Sequence, residues 1–187
     1  MKRSGFLAVL VTFALTVPGV SAIAHAQPPT VDFDLVPASA AVAGCLSNAT
    51  AHVTVELKEE ERGVDRLRLD ARGLPADTDF AVFLTSRDAF ASPAFGAVQY
   101  IGDFTTNREG HGRLKVDAII AEAFVSTLAS GSRTREDLDH LVFWFADPQQ
   151  AHDACSVNST TPFDGDGNAG PAAMSSQGAT GLEQFPE

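Results

Sequence analysis

The sequence predicts an all-β chain folded as an antiparallel two-sheet sandwich of about seven strands, with at most one or two short helices. Three observations lead there. Short stretches of alternating apolar and polar residues recur between residues 30 and 145, and turn-forming residues separate them. One continuous apolar run, 141–145 (LVFWF), has the length of a strand buried on both faces.

Met1-Lys2-Arg3 precedes an apolar run over 6–17, and Ala24-His25-Ala26 comes just before Gln27. Residues 1–26 therefore read as a secretory signal peptide, with an apolar core too short for a membrane-spanning helix and small residues where signal peptidase cuts. The mature chain is expected to start near Gln27, to be secreted, and to contain no transmembrane segment. The 24 acidic and 13 basic residues give a formal net charge of −11, and losing Lys2 and Arg3 makes it two units more negative. Nucleic acid and anionic lipid are poor partners for such a surface.

Along the mature chain, 30–36 alternates, with Val31, Phe33 and Leu35 on one face and Asp32 and Asp34 on the other. Residues 37–48 are small and flexible in composition and carry Cys45. Strand character returns at 51–57 through Val53, Val55 and Leu57, and 58–63 (KEEERG) is a charged, solvated turn. In 64–71, Leu67 and Leu69 point inward, and Asp65, Arg66, Arg68 and Asp70 are expected to point out. Residues 80–85 form the next strand, followed by a loop over 86–96. The stretch 97–120 reads as a hairpin, with Tyr100 and Phe104 on one arm and Leu114 and Val116 on the other. Gly110 and Gly112 supply positive φ at its turn and His111 sits at the tip. Ile120, Phe124 and Leu128 recur at helical spacing, which predicts a short helix over 120–129. Residues 132–139 are polar and acid-rich, and Trp144 is a core anchor. After Phe163 the composition turns to Gly, Ala, Ser and Pro, so residues 27–163 form the domain and 164–187 a flexible C-terminal tail.

The two cysteines, Cys45 and Cys155, are expected to pair once exported, closing a loop of about 110 residues that is worth ~2 to 4 kcal/mol. Val42-Ala43-Gly44-Cys45 also has the form of a bacterial lipobox, which would place a lipid on Cys45. Asp32, Asp34 and Pro37 interrupt the apolar run that such a signal needs, and lipidation would leave Cys155 without a partner. The disulfide is the reading taken and the lipid the alternative. No CxxC is present, so thiol-redox catalysis is not indicated.

Residues 73–82 (GLPADTDFAV) resemble the Leu-Pro-x-x-Thr-x-Tyr-x-Val corner of fibronectin type III domains, with Phe80 in the tyrosine's place. The resemblance implies an immunoglobulin-like or fibronectin-III-like form of the sandwich. From Leu141 the chain reads LVFWFADPQQAHDACSVNSTTPFDGDGNAG. Together with the upstream Leu-Pro corner and the GDFTTN strand, it resembles a group of uncharacterised secreted bacterial proteins. That resemblance spans roughly 74–170, implies secretion and a β fold, and transfers no catalytic residue.

Catalytic machinery is not visible in the motifs. The histidines at 52, 111, 140 and 152 form no His-x-His or HExxH pattern, so the ligand set of copper/zinc superoxide dismutases is missing. There is no Gly-x-Ser-x-Gly elbow and no phosphate-binding glycine loop. The one constellation with ligand chemistry is Asp164, Asp166 and Asn168, three oxygen-bearing side chains at the alternate spacing that opens a calcium loop. Ala169 and Ser175 then stand where an EF-hand needs glycine and glutamate. No other cofactor is implied. The expected function is a secreted, non-catalytic interaction or cell-envelope-associated module, its partner an extracellular protein or envelope component. The alternatives are a secreted enzyme with a loop-assembled acidic/His site and a weak calcium-binding module.

An incomplete calcium site of this kind binds with a Kd of about 10⁻⁴ to 10⁻³ M. Calcium at ten times that constant stabilises the fold by ~1.4 kcal/mol. A thermal melt in millimolar calcium is therefore expected to exceed one in chelator, and Asp164→Ala with Asp166→Ala should abolish the difference. Equal melting temperatures for the unsubstituted protein would remove calcium from consideration.

Overall fold

The computed structural model describes residues 29–58, 62–161 and 168–184. The expected leader at 1–26 lies outside these, as do Asp164 and Asp166. In chain order the elements are β1 (Thr30–Pro37), α1 (Ala40–Ala43), β2 (Thr50–Glu56), β3 (Asp65–Arg72), β4 (Asp79–Thr85), β5 (Val98–Thr105), β6 (Gly112–Ala118), β7 (Phe124–Ala129), β8 (Ser132–Asp137), β9 (His140–Phe145), α2 (Pro148–Cys155) and β10 (Ala172–Ser175). A 3₁₀ turn follows at Leu182–Gln184. No helix among the described residues is long and apolar enough to cross a membrane.

Eight strands form one sheet in the order β5-β4-β9-β10-β1-β2-β3-β6, all neighbours antiparallel, and β7 and β8 form a separate two-stranded ribbon. The chain is thus all-β and antiparallel, with ten described strands where about seven were expected. The large sheet bends at β1. Residues 30–35 of that strand pair with β2, while Val36 and Pro37 pair with β10, so one strand belongs to two leaves. The outer strands β5 and β6 come to lie against each other and nearly close the sheet into a barrel.

This arrangement corrects the expected hairpin at 97–120. β5 pairs with β4 and β6 with β3, so the two arms occupy opposite ends of the sheet and the 106–111 turn crosses between leaves. That turn is built against the Leu-Pro corner: the Leu74 amide donates to the Gly110 carbonyl at 3.2 Å, and the Asp77 amide to the Asn107 carbonyl at 3.3 Å. Gly110 has φ +73°, and a Cβ there would stand 2.1 Å from the Leu74 carbonyl oxygen. Gly112 does not have positive φ. It is glycine for space, because a Cβ would meet the Phe104 ring at 2.4 Å. Thr106 pins this corner. Its hydroxyl donates to the Pro75 carbonyl at 2.6 Å and accepts from the Thr78 amide at 2.9 Å.

Alternation places Val53, Val55, Leu67 and Leu69 in the core, and Phe80, Phe104, Phe143 and Phe145 fill the space between the leaves. Phe80 lies 5.2 Å from Phe104, 5.2 Å from Phe143 and 5.0 Å from Phe145, centroid to centroid. The LVFWF run is buried on both faces. Leu141, Phe143 and Phe145 join the main core, while Val142 and Trp144 form a second cluster with Ala81 and Phe83. Phe95, from the loop after β4, covers Trp144 at 5.0 Å.

Three further expectations are corrected. The predicted helix over 120–129 is the strand β7, because Ser130 (φ 50°) and Gly131 (φ 80°) form a two-residue loop of the I′ kind that turns the chain straight back. The polar stretch after it is β8. Part of the expected tail, 172–175, is β10, paired between β9 and β1 with Ala173, Met174 and Ser175 buried. Helix α2 starts where the Asp147 carboxylate accepts from the Gln149 amide at 2.8 Å, with Pro148 in its first turn. It ends at Cys155, disulfide-bonded to Cys45 with the Cα atoms 5.2 Å apart. The bond ties α2 to the turn after α1.

Asp65, expected on the outer face, is 1 % exposed. Its carboxylate accepts from the Lys58 amide at 3.0 Å, the Ile120 amide at 3.2 Å and the Ala121 amide at 3.0 Å. One inward acid thereby joins the chain leaving β2 to the chain leaving β6. Asp65→Ala is expected to cost about 3 kcal/mol or more in urea unfolding, since each buried donor left unsatisfied costs ~1 to 3 kcal/mol. The surface control Asp117→Ala should shift the transition far less. Equal shifts for the two would show that water replaces the carboxylate.

Candidate functional site

Among the described residues no group of three or more His, Cys, Asp or Glu side chains could hold a metal ion. Asn168 is exposed, and Asp164 and Asp166 lie outside the described residues. His111 sits at an exposed turn held by Asn107, whose side-chain oxygen accepts from the Glu109 amide at 3.1 Å and the His111 amide at 2.9 Å. Of the four described histidines, His52 contacts Asp32 and Asp34 on the neighbouring strand β1, while the acidic contacts of His140 and His152 are to the adjacent Asp139 and Asp153.

Ionisable groups converge in an open cleft of about 420 Å³ lined by Arg87, Asp88, Asp139, His140, Gly178 and Glu183. Asp139 precedes β9 and His140 opens it, the loop after β4 supplies Arg87 and Asp88, and the segment after β10 supplies the rest. His140 Nδ1 lies 3.2 Å from the Ser176 hydroxyl, and Nε2 lies 3.7 Å from Asp139. Burial pushes the Asp139 carboxyl above its ordinary value, opposed by the nearby His140 and reinforced by Glu183 and Asp137. Burial also pushes Glu183 up, but hydrogen bonds from the backbone of Thr180, Glu183 itself and Gly181 outweigh it and leave that carboxyl low. Two neighbouring acids with environments of opposite effect are a pattern found in acid–base sites.

Asp88, Glu183 and the neighbouring Ser176 have structural duties. Asp88 accepts from the Phe90 amide at 2.9 Å and the Gly178 amide at 3.0 Å. Glu183 accepts from the Thr180 amide at 2.9 Å and the Gly181 amide at 2.7 Å. Ser176 is 1 % exposed and its oxygen accepts from the Leu141 amide at 3.2 Å, so no substrate can reach its hydroxyl as a nucleophile. The cleft fastens two loops to one end of the barrel.

On the outer face of β1-β2-β3-β6, charges stand opposite one another across the strands. Arg66 clamps Asp117 through two bonds of 2.7 and 3.0 Å, Arg113 meets Asp70 at 2.7 Å, and Glu56 binds both Lys58 and Arg68. His52 lies 2.8 Å from Asp34, whose hydrogen bond raises the imidazole pKa against the lowering effect of burial. A depression of about 440 Å³ lies among His52, Arg68, Arg113 and Lys115. Facing opposite charges of this kind set strand register.

The third feature is the ribbon. The Ala123 carbonyl accepts from the buried Leu138 amide at 2.8 Å, Val125 packs against the core, and Ser86 donates to Glu136 at 2.9 Å. The opposite face carries Phe124 (47 % exposed), Leu128 (69 % exposed), Arg133 and Arg135, with the Arg135 guanidinium 4.2 Å over the Phe124 ring. Sequence reading missed this surface. Its signal was Ser130-Gly131 between two stretches of strand-forming residues, which outweighs three apolar residues at helical spacing.

No protein family, curated protein or solved structure matches the chain.

Asp139 carries the sign of a burial cost. Its folded pKa lies above the unfolded value of 3.8, so its contribution to stability falls as pH rises through the folded pKa, and the deficit is complete at neutral pH. Asp139→Asn is expected to unfold at higher urea than the parent at pH 7, the gain vanishing below about pH 3.8. A loss of stability at pH 7 would show instead that the ionised Asp139 carboxylate supports the fold.

Proposed function

We propose that the chain is a secreted, non-catalytic interaction module that binds an extracellular protein or an envelope component through the β7–β8 ribbon. The observation that carries this reading is the pairing of exposed Phe124 and Leu128 with Arg133 and Arg135 on a ribbon outside the barrel. Aromatic and arginine side chains are enriched where interfaces concentrate their binding energy. The Cys45–Cys155 disulfide supports export to an oxidising compartment. The two leaves joined at β1 support likening the architecture to immunoglobulin-like sandwiches. A weakly held calcium ion at Asp164, Asp166 and Asn168 fits the same module as a stabilising ion.

The second reading is a secreted enzyme working at the Asp139–His140 cleft, favoured by the raised Asp139 carboxyl beside an imidazole. The duties of Asp88, Glu183 and Ser176 weigh against it.

Phe124→Ser with Leu128→Ser is expected to change stability by roughly 0.5 kcal/mol or less, as exposed substitutions do. Peptides selected from a displayed random library on the unsubstituted protein should lose at least tenfold in affinity for that double variant. Selected peptides that bind both proteins equally would place the contact surface elsewhere, and loss of binding through His140→Ala alone would favour the cleft.

A further inference from the structure

Resting on the reading of the ribbon as a contact surface, we infer that its partner is a second copy of this chain, added along the free edge of β7 so that two ribbons form one four-stranded antiparallel sheet. β7 pairs with β8 and with no other strand among the described residues. In an antiparallel pair, residues bonded to each other alternate with residues whose backbone groups point away. The Leu138 amide donates to the Ala123 carbonyl at 2.8 Å, which makes Ala123↔Leu138 a bonded pair. Counting by two along the register, Val125↔Glu136, Thr127↔Thr134 and Ala129↔Ser132 are bonded as well, the last closing the two-residue loop. The backbone N–H and C=O groups of Phe124, Ser126 and Leu128 therefore point away from β8, at successive positions along the edge.

This row is complementary to itself, which selects a second copy as the occupant. A two-fold axis at Ser126 sets Phe124 beside the partner's Leu128, Leu128 beside the partner's Phe124, and the two Ser126 hydroxyls beside each other. Every outward position of one strand then meets an outward position of the other, enough for about six backbone bonds. Moving the axis by one residue sets Phe124 or Leu128 against the partner's Ser126 and leaves the other opposite a turn residue. Phe124 and Leu128, 47 % and 69 % exposed, are two of the five exposed large apolar side chains among the described residues, and the junction covers both. On the inner face the same axis matches Val125 with the partner's Thr127, two β-branched residues. Charge permits the junction. Asp137 lies on the row of Phe124 and Arg133 on the row of Leu128, so each full row carries an acid at one end and an arginine at the other. Arg135 shares the serine row, and the two copies of it stand three strand spacings apart, about 14 Å, beyond a Debye length at physiological salt. The β8 edge is the weaker candidate for self-pairing. Pairing it about Arg135 matches Arg133 with Asp137 twice, but it sets Arg135 against itself and leaves Phe124 and Leu128 outside the junction. Two copies of a chain whose formal net charge is −11 repel each other, so the association is weak and strengthened by salt.

The test is sedimentation equilibrium of the full mature chain. A monomer–dimer equilibrium is expected between about 10 µM and 1 mM protein, shifted toward dimer as salt rises from about 0.05 to 0.5 M. Phe124→Glu and Leu128→Lys should each weaken self-association at least tenfold, and an equimolar mixture of the two should recover a dimer, because each Phe124 faces the partner's Leu128. Ser126→Pro removes an outward N–H and leaves the β8 ladder intact, so it should abolish the dimer without changing the thermal melt of dilute protein. On mild oxidation Ser126→Cys should be captured as a linked dimer, whereas Arg135→Cys, far beyond disulfide reach, should not. A monomer at every concentration and salt, a mixture that fails to associate, a dimer that survives Ser126→Pro, or capture through Arg135→Cys in place of Ser126→Cys would overturn the inference. Library peptides that still depend on Phe124 and Leu128 would in that event leave the interaction reading standing and assign the ribbon to a different partner.

Discussion

Four phenylalanine rings decide how far the large sheet can curl. Phe80, Phe104, Phe143 and Phe145 come from β4, β5 and β9, lie 5.0 to 5.3 Å apart in tilted, edge-on and offset contacts, and fill the interior from one leaf toward the other. Each such pair contributes roughly 0.5 to 1.5 kcal/mol beyond area burial. The rings are also wide enough that the facing strand must give way, which it does at Gly112, where the Phe104 ring occupies the space a Cβ would need. At Gly102 a Cβ would stand 3.2 Å from Leu114, so β5 and β6 meet through side chains and bare backbone rather than through a ladder. The barrel is nearly closed by packing, and its two edge strands shield each other.

That mode of closure gives the polar groups their work. An acidic chain has many carboxylates to place, and here Asp65, Asp88 and Glu183 each accept from two or three backbone amides on segments distant from one another or at loop ends. Others stand opposite arginines across β2, β3 and β6, where exposed pairs contribute little energy individually but disfavour a shifted register. Acidity serves the architecture before it serves any ligand. The same reasoning keeps the Asp139–His140 cleft in its structural place, since only Asp139 there carries a shifted carboxyl without backbone partners from the neighbouring loop.

Local alternation made β1, β2, β3, β4 and the inner run of β9 legible in the sequence, because each has a half-buried or fully buried face of adequate length. What failed was information that alternation does not contain. β5 and β6 read as partners because they are adjacent, yet period-two patterning is silent about which strand lies alongside. β10 is four residues long with neighbours on both edges, so it needs no amphipathic pattern and shows none. Asp65 was placed outward by its charge, although its position in register with Leu67, Leu69 and Ala71 put it inside. At 120–129, apolar residues at 120, 124 and 128 satisfied a helical period while Val125, Thr127 and the Ser130-Gly131 loop argued for strands. Turn chemistry won because two consecutive residues at positive φ cannot continue a helix. The candidate contact surface was hidden behind that one misreading, and the candidate calcium residues Asp164 and Asp166 lie outside the described residues.

A two-stranded ribbon is marginal by itself in water, and three strands or packing against another element are usually needed for independent stability. This ribbon is anchored mainly at its root, through buried Leu138, the Ala123–Leu138 bond and the inward side of Val125. Toward its tip, Leu128 and Arg133 stand in solvent, and the I′ turn and cross-strand bonds hold the arms together. A third strand would bring the ribbon to the size at which a sheet supports itself, so the ribbon has more to gain from an added strand than the barrel does. The barrel's own edges are already turned toward each other. If this fold offers backbone hydrogen bonds to another chain, physical chemistry therefore favours the ribbon as the place.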